Sequence, residues 1–548
     1  MCYGFVRGSW MIFGISFDNK RKIQVGNMML KNSLWFFCCV SLTLKGSFAQ
    51  PVALSCEDAI NIALDKSYTI QTYENSRAMT RFWYEYYRAM FKPRLDFDLF
   101  TPSWSESVQT IYQADGLPVY NSTGSIRTGG NLQFTYVLPS GGDLSLSAHS
   151  YFDDQHTILT LNDNEKLKNK LFYNRFALSF SQPVFTKNTL RENLREAELE
   201  FEKSTDQYTR GQMDIIYEVT KGFYRLYRAT RLVEIAEERL KNSEEALRVA
   251  RLKSESGLIP EGDLLTAEVE VAQDHAGLSD AKGDLEREKD IFKQLIGIDL
   301  SLDITIRAEL KNEIVIIDPD IALREALQNR LELEEVKIDI DLQEIEVDRA
   351  KRVRELKGSI SGYYDFTGVS TLGSGKLNDL FNSSIENLSD RPQNRGIMLT
   401  LSYPVSDWGR GKAKVQQAKV GLENLKLRLE NTKNTVIKEV RDIVRSVDES
   451  QNRLLIHEKN RELAQRTYRI FTMRFENGDI SSQELAIQRE KLSAIQLNYL
   501  DAYIDNKLAL ADLKRKTMWN FQNDRSYRVD WKGSKLGDRR PETGDRKY

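Results

Sequence analysis

Residues 226–297 read LYRATRLVEIAEERLKNSEEALRVARLKSESGLIPEGDLLTAEVEVAQDHAGLSDAKGDLEREKDIFKQLIG. Leu226, Val233, Leu240 and Leu247 recur every seven residues, and Ala229, Ala236, Ser243 and Ala250 follow three places behind. After Gly257, Leu264, Val271, Leu278, Leu285 and Phe292 keep the same step. An apolar seam of heptad period makes helices wrap around each other with a left-handed twist. The stretch from Lys187 to Gly297 therefore reads as a long helix going out, a turn at Gly257, and a second helix coming back. Small residues alternating with Leu or Val allow the two axes to approach closely.

Upstream, Ser55 opens a first helix with Glu57 and Asp58 in its first turn, where acids favour the helix dipole. Ala59, Ile60, Ala63 and Leu64 give it an apolar face, and Pro93 stops it after Lys92. The period then changes to two. Leu95, Phe97 and Leu99 alternate with Asp96 and Asp98. Leu132, Phe134, Tyr136 and Leu138 alternate with polar residues. Pro139–Gly142 turns, Leu144 and Leu146 follow, and Phe176, Leu178 and Phe180 close the series. Each such strand has one greasy and one wet face.

An antiparallel sheet over a dry core would produce the same alternation. Two features favour an outer-membrane barrel instead. The segments Thr101–Gly130 and Asp153–Lys170 read as long polar loops with no helix to supply a core. Phe100, Trp104, Tyr151, Phe172, Tyr173 and Phe185 crowd the strand ends as an aromatic girdle would.

The plan then runs a second time. Asp318-Pro319 opens a helix whose Ala322, Leu323, Ala326 and Leu327 match Ala59, Ile60, Ala63 and Leu64. Ile360, Gly362, Tyr364 and Phe366 form a strand, Gly368–Asn394 a polar loop, and Ile397, Leu399, Leu401 and Tyr403 the strand back. A second long helix runs from about Gly409 to Asn477, turns at Gly478, and returns to about Asn520. The offset is 404 − 183 = 221 at the two X-Pro-Val junctions, and 478 − 257 = 221 at the two glycine tips. It is 322 − 59 = 263 at the opening helices, so the first half carries 263 − 221 = 42 extra residues in its strand region. The hairpin around Pro139–Gly142 supplies most of them, either as added strands or as a projection. The expected fold is thus α+β and mostly α, organised as residues 1–49 (extension and leader), 50–317 and 318–523 (two repeats), and 524–548 (a polar, disordered tail).

Helices of ~70 residues span ~105 Å. Two or three strand pairs are too few to close a barrel around a water-filled lumen, and strands in lipid cannot leave open edges. Several chains must share one barrel.

The duplicated helix–strand–strand–long helix–turn–helix order, with Gln182-Pro183-Val184-Phe185 and Tyr403-Pro404-Val405 leading from strand to helix, resembles the TolC-type outer-membrane efflux proteins. The resemblance covers residues 52 to about 520. It implies a homotrimer in outer-membrane lipid, with a shared barrel of four strands per chain and a periplasmic helical tunnel. It implies an exit duct, not an enzyme, that works with a periplasmic adaptor and an inner-membrane pump. The extra hairpin departs from the usual strand count. The resemblance also implies that the tips meet the adaptor, here through Gly257, Leu258, Ile259, Gly478, Asp479 and Ile480. The family's acidic gate lies at the sixth and ninth positions after the second tip glycine. Glu484 is the sixth, but the ninth is Ile487, and Asp263 is the sixth after Gly257. Turn chemistry alone accounts for much of this, since Gly257 ends a helix and Ser481 with Glu484 has capping-box spacing.

Other chemistry is weakly signalled. A net charge of -2 gives no basic surface for nucleic acid. His149, His156, His275 and His457 lack ligand spacing, so neither metal nor cofactor is expected. Gly362, Gly368, Gly373 and Gly375 have no helix behind them to bind phosphate. Carboxylates on the long helices read as solvated or as i,i+4 partners. Lys31, the apolar run Leu34–Leu44 and Ser47-Phe48-Ala49 read as a secretory leader starting at Met28 or Met29. Cys2, Cys38 and Cys39 would leave with it. Cys56 then starts a helix or, with a poor lipobox before it, carries a lipid. A periplasmic adaptor or a coiled-coil structural envelope protein would share the heptads, but not the doubled strand pairs.

Overall fold

The computed structural model describes residues 52–112, 114, 116–159, 165–307, 314–370, 375–477, 479–521, 525 and 526. The leader, three of the cysteines, Gly373, Gly478 and the 527–548 part of the tail lie outside the described residues. In order the elements are β1 (Val52–Leu54), α1 (Cys56–Lys66), α2 (Tyr68–Ala89), β2 (Arg94–Tyr112), β3 (Pro118–Val137), β4 (Asp143–Leu159), β5 (Glu165–Val184), α3 (Thr189–Glu255) and α4 (Glu261–Ile296). β6 (Ile304–Ile306) closes the first half, and the second half follows with α5 (Pro319–Asn329), α6 (Leu331–Lys351), β7 (Lys357–Val369), α7 (Leu377–Asp390), β8 (Asn394–Ser402), α8 (Arg410–Asn477) and α9 (Ser482–Thr517). β9 (Trp519–Asn520) and β10 (Arg525–Ser526) form a short closing pair.

The two long helices have 67 and 68 residues, or ~100 Å each at 1.5 Å rise per residue. The single helix expected over Ser55–Lys92 is instead two, α1 and α2. Ser67 breaks it by taking an extended ψ of 139° and capping α2 through its side chain. Arg330 takes the same extended backbone between α5 and α6, with ψ 117°, but caps α6 through no side-chain hydrogen bond. The spacing 330 − 67 = 263 equals the offset already seen at the opening helices, so the break belongs to the repeat.

These breaks have a packing purpose. α2 and α4 lie end to end along α3, and α4 finishes at Gly297, whose φ of 76° closes the helix in left-handed geometry. A Cβ there would run into the Lys66 carbonyl, so only glycine lets the two ends meet. Ala59, Ala63, Ile70, Val219, Phe223, Leu226, Phe292 and Ile296 form one core at this junction. In the second half α6 and α9 share α8 likewise, with Arg330 Nη1 donating to the Lys516 carbonyl at 3.1 Å. Strand β1 pairs parallel with β6 and ties the start of the first half to its end. In the outward seam Leu226, Val233, Leu240, Ala229, Ser243 and Ala250 are buried.

The strands form one antiparallel sheet in the order β2-β3-β4-β5-β7-β8, with β2 and β8 as its edges. The hairpin around Pro139–Gly142 therefore adds β3 and β4 in line. The segments 101–130 and 153–170 are largely not loops. β2 and β3 stay paired from Arg94↔Thr135 out to Tyr112↔Pro118, and β4 and β5 out to Leu159↔Glu165. Polar residues interrupt the apolar positions on both faces out there, which erases the alternation a strand would otherwise show. The expected loop Gly368–Asn394 contains α7, so a helix does open behind Gly375.

Candidate functional site

The candidate site has two ends, the sheet and the helical tips. On the sheet, pairing sets the faces. Phe97↔Leu132↔Ala148↔Phe176↔Phe366 and Leu95↔Phe134↔Leu146↔Leu178↔Tyr364 run across neighbouring strands, and Ile360↔Leu399 carries the row onto β8. Most of these residues are exposed although they are large and apolar. A contiguous band of this kind marks a membrane or partner surface. No helix among the described residues is long and apolar enough to cross a membrane, so the sheet alone offers a membrane surface there.

The opposite face carries Asp98↔Asn131↔His149↔Arg175↔Thr367 and Gln133↔Ser147↔Ala177↔Asp365. Asn131 and Gln133 are less exposed than their neighbours Leu132 and Phe134, as expected where side chains converge on a concave face. Two ion pairs lie on it. Arg127 holds the nearly buried Asp153 at 2.7 Å, with Ser125 donating to the same carboxylate at 2.6 Å. Arg175 holds Asp365 at 2.8 Å, and Asn394 donates to it at 2.8 Å.

The aromatic girdle is only partly where it was expected. Phe100, Tyr151 and Tyr173 lie on the concave polar face. Tyr151 stacks on Tyr173 at 4.8 Å, and Phe100 on His149 at 5.7 Å. The cause is strand parity, because Phe100 is even on β2, where odd residues form the apolar face, and Tyr151 and Tyr173 are odd on β4 and β5, where even residues do. Trp104, opposite Ile126, does face outward. Phe172 is covered by Phe381 of α7 at 5.1 Å, edge to face. α7 lies on the apolar-band side, where Ser384 accepts from the buried Asn174 at 2.6 Å.

At the other end, Gly257 takes φ 69° and Leu258 N donates to the Lys253 carbonyl at 2.8 Å, which closes α3. Leu258 is 73% exposed and makes a free apolar point, whereas Ile259 is half-buried. Gly478 lies outside the described residues. Asp479 is exposed and donates its N–H to the Arg474 carbonyl at 2.9 Å. Ile480 is half-buried against the core of Ala246, Phe475 and Leu485. The structure thus brings the two tips together. Lys253 Nζ donates to the Phe475 carbonyl at 2.6 Å, and Ser482 Oγ to the Asp263 carbonyl at 3.5 Å. Glu484 is exposed and completes a capping box, accepting from Ser481 N at 3.3 Å. Asp263 is half-buried in the first turn of α4.

One charged cluster escaped the sequence reading. Asp274 and Arg489 are buried between helices and are not solvated. Arg239 Nε approaches Asp274 at 2.6 Å, and Arg489 Nη1 lies 3.7 Å from Glu270 and 3.8 Å from Asp274. Asp274 Oδ2 and Arg489 Nε and Nη2 make no hydrogen bond among the described residues. Burial pushes the Glu270 carboxyl above its ordinary value, more than Arg489 pulls it back. The signal was present: Asp274 stands three places after Val271, a seam position that Ala or Ser fills on the outward helix.

The family model described as outer membrane efflux protein matches residues 161–297 and 322–517. No curated protein matches the chain at a significant level. Among solved structures, the chain is similar to the CmeC outer membrane channel of Campylobacter jejuni, at 15% identity and TM-score 0.61, covering 84% of this chain and 85% of that one. It is similar to the MtrE outer membrane channel of Neisseria gonorrhoeae at 14% identity and TM-score 0.60, covering 84% and 88%. For the outer membrane protein VceC of Vibrio cholerae the figures are 14%, 0.59, 84% and 95%. At such identities the likeness concerns the fold.

Proposed function

The chain belongs to the outer membrane efflux protein family, and on that premise we propose that it is the exit duct of a tripartite efflux or type I secretion system. In this reading three copies close one barrel in the outer membrane and one helical tunnel beneath it. Small molecules or proteins pass through it from an inner-membrane pump to the outside. The residue ranges 50–317 and 318–523 are its two structural repeats. The observation that carries the reading is the six-stranded sheet, apolar on one face and polar on the other, mounted on helices ~100 Å long. A periplasmic adaptor or a structural envelope protein has no use for such a sheet.

Gly257, Leu258, Ile259, Gly478, Asp479 and Ile480 are the proposed docking points for the adaptor's helical hairpin. The exposure of Leu258 supports its part, while Ile480 contributes by shaping the tip. Glu484 and Asp263 are the proposed gate residues. A ring of such carboxylates at a pore neck favours cations and is blocked by multivalent ones. Deleting the gene tests the reading: cells are expected to become sensitive to bile salts, dyes or hydrophobic antibiotics. Unchanged sensitivity across that panel, with secretion also intact, would overturn it.

A further inference from the structure

We propose that β3 and β4 are part of the barrel wall itself, so that three subunits close an eighteen-stranded barrel in which β8 of one copy pairs with β2 of the next. The inference rests on the homotrimeric reading above and concerns the strands that the first half carries in excess.

The first observation is continuity. β3 and β4 hydrogen-bond to β2 and β5 along their lengths, with 17 pairs between β4 and β5 from Asp143 to Leu159. Leu132, Phe134 and Leu146 of the extra pair carry the apolar band without interruption, which a hairpin projecting into water would not need. The second is height. The turn joining β3 to β4 sits at the rim where β5 passes into α3. Asn188 Nδ2 donates to the Pro139 carbonyl at 3.1 Å while its Oδ1 caps α3, and Ser140 Oγ donates to Gln182 at 2.6 Å. Both extra strands therefore cross the whole band.

The third is the state of the edges. Apolar band residues on the inner strands are at most 51% exposed, but those on β2 and β8 are 55–87% exposed, because each lacks a neighbour on one side. Residues 396–402 of β8 contain no charge and no proline, the usual defences of a free edge. An open edge in lipid leaves backbone groups without partners, so it must be covered. A second copy of this chain fits the need. With six strands per subunit, β8 and the following β2 run in opposite directions, and the antiparallel alternation continues around the ring.

Width follows from strand number. At ~4.8 Å between strands and a tilt of ~40°, eighteen strands enclose a backbone diameter of ~36 Å, against ~24 Å for twelve.

Electron cryomicroscopy of the purified full-length protein in lipid nanodiscs tests this by counting strands and subunits in the same map. A three-fold particle with eighteen strands is the expected result. A three-fold particle with twelve strands, β3 and β4 lying outside the wall, would overturn the inference and leave the duct intact. Any other subunit number would overturn the homotrimer, and the count of eighteen with it. As a second readout, Phe97→Cys combined with Leu399→Cys is expected to give covalent dimers and trimers with a flexible bis-maleimide. Monomer alone would contradict the shared edge.

Discussion

Arg489 of α9 and Asp274 of α4 lie 3.8 Å apart inside the helical layer, and Arg239 of α3 reaches the same carboxylate at 2.6 Å. One carboxylate thus joins three helices close to the tips. Removing it strands a nearly buried guanidinium, which costs ~3–5 kcal/mol when a buried pair is broken from one side. Asp274→Ala is expected to lower the temperature at which the helical circular dichroism is lost. Asp274→Leu with Arg489→Met should recover most of that loss, since apolar replacement of both partners is tolerated. An unchanged transition in the single variant would contradict the arrangement.

Glu270 gives a pH dependence with a definite sign. Its folded-state pKa is raised above the ordinary glutamate value, chiefly by desolvation, so the folded protein holds this proton more tightly than the unfolded chain. Its contribution to stability therefore falls as pH rises from about 4.5 through the raised value, and the penalty is complete above that. Glu270→Gln should raise stability at neutral pH relative to the parent and lose that advantage in acid. A gain that grows in acid would reverse the assignment.

The sheet predicts opposite outcomes at adjacent positions. Leu178→Arg places a charge on the lipid side and should cost ~2–4 kcal/mol near the bilayer midplane. Ser179→Arg faces the concave polar side and should cost little. Urea titrations of folding into vesicles measure the difference, and equal losses would contradict the facing.

At the tips, Leu258→Asp alters an exposed side chain with no core contact, so outer-membrane levels should stay unchanged while efflux falls. Ile480→Asp intrudes on the Phe475 core and should lower thermal stability as well. Retained efflux with Leu258→Asp would remove that residue from the docking surface.

Cys56 is the first residue of α1 and packs against the junction core, where burial raises its thiol pKa despite a hydrogen bond to Thr220. Alkylation by iodoacetamide at pH 8 should be slow in the folded protein and fast in denaturant. Equal rates would contradict the burial.

Much of this architecture can be read from residue spacing, and what cannot has identifiable causes. Leu226, Val233 and Leu240 reveal the long helix because burial repeats with the helical turn. Leu95 to Leu99 and Phe176 to Phe180 reveal strands because only one face meets apolar surroundings. Residues 105–112 and 118–125 lie beyond the band, where polar residues interrupt the apolar positions on both faces, and the signal vanishes although the ladder continues. Ser67 hides a helix break inside an unbroken apolar period. Arg489, which faces Asp274, and Ser384, which covers Asn174, come from other elements more than 200 residues away, so spacing along the chain carries no trace of these contacts.

The central claim is that the sheet separates lipid from water. Spin labels placed singly at positions 176 to 181 of β5, in the protein reconstituted in bilayers, test it most directly. Collision with oxygen should peak at positions 176, 178 and 180, and collision with a water-soluble nickel chelate at 177, 179 and 181. Loss of that two-residue alternation, or inaccessibility of the even positions to both reagents, would mean that the apolar face covers a dry protein core and that no lipid-facing wall exists.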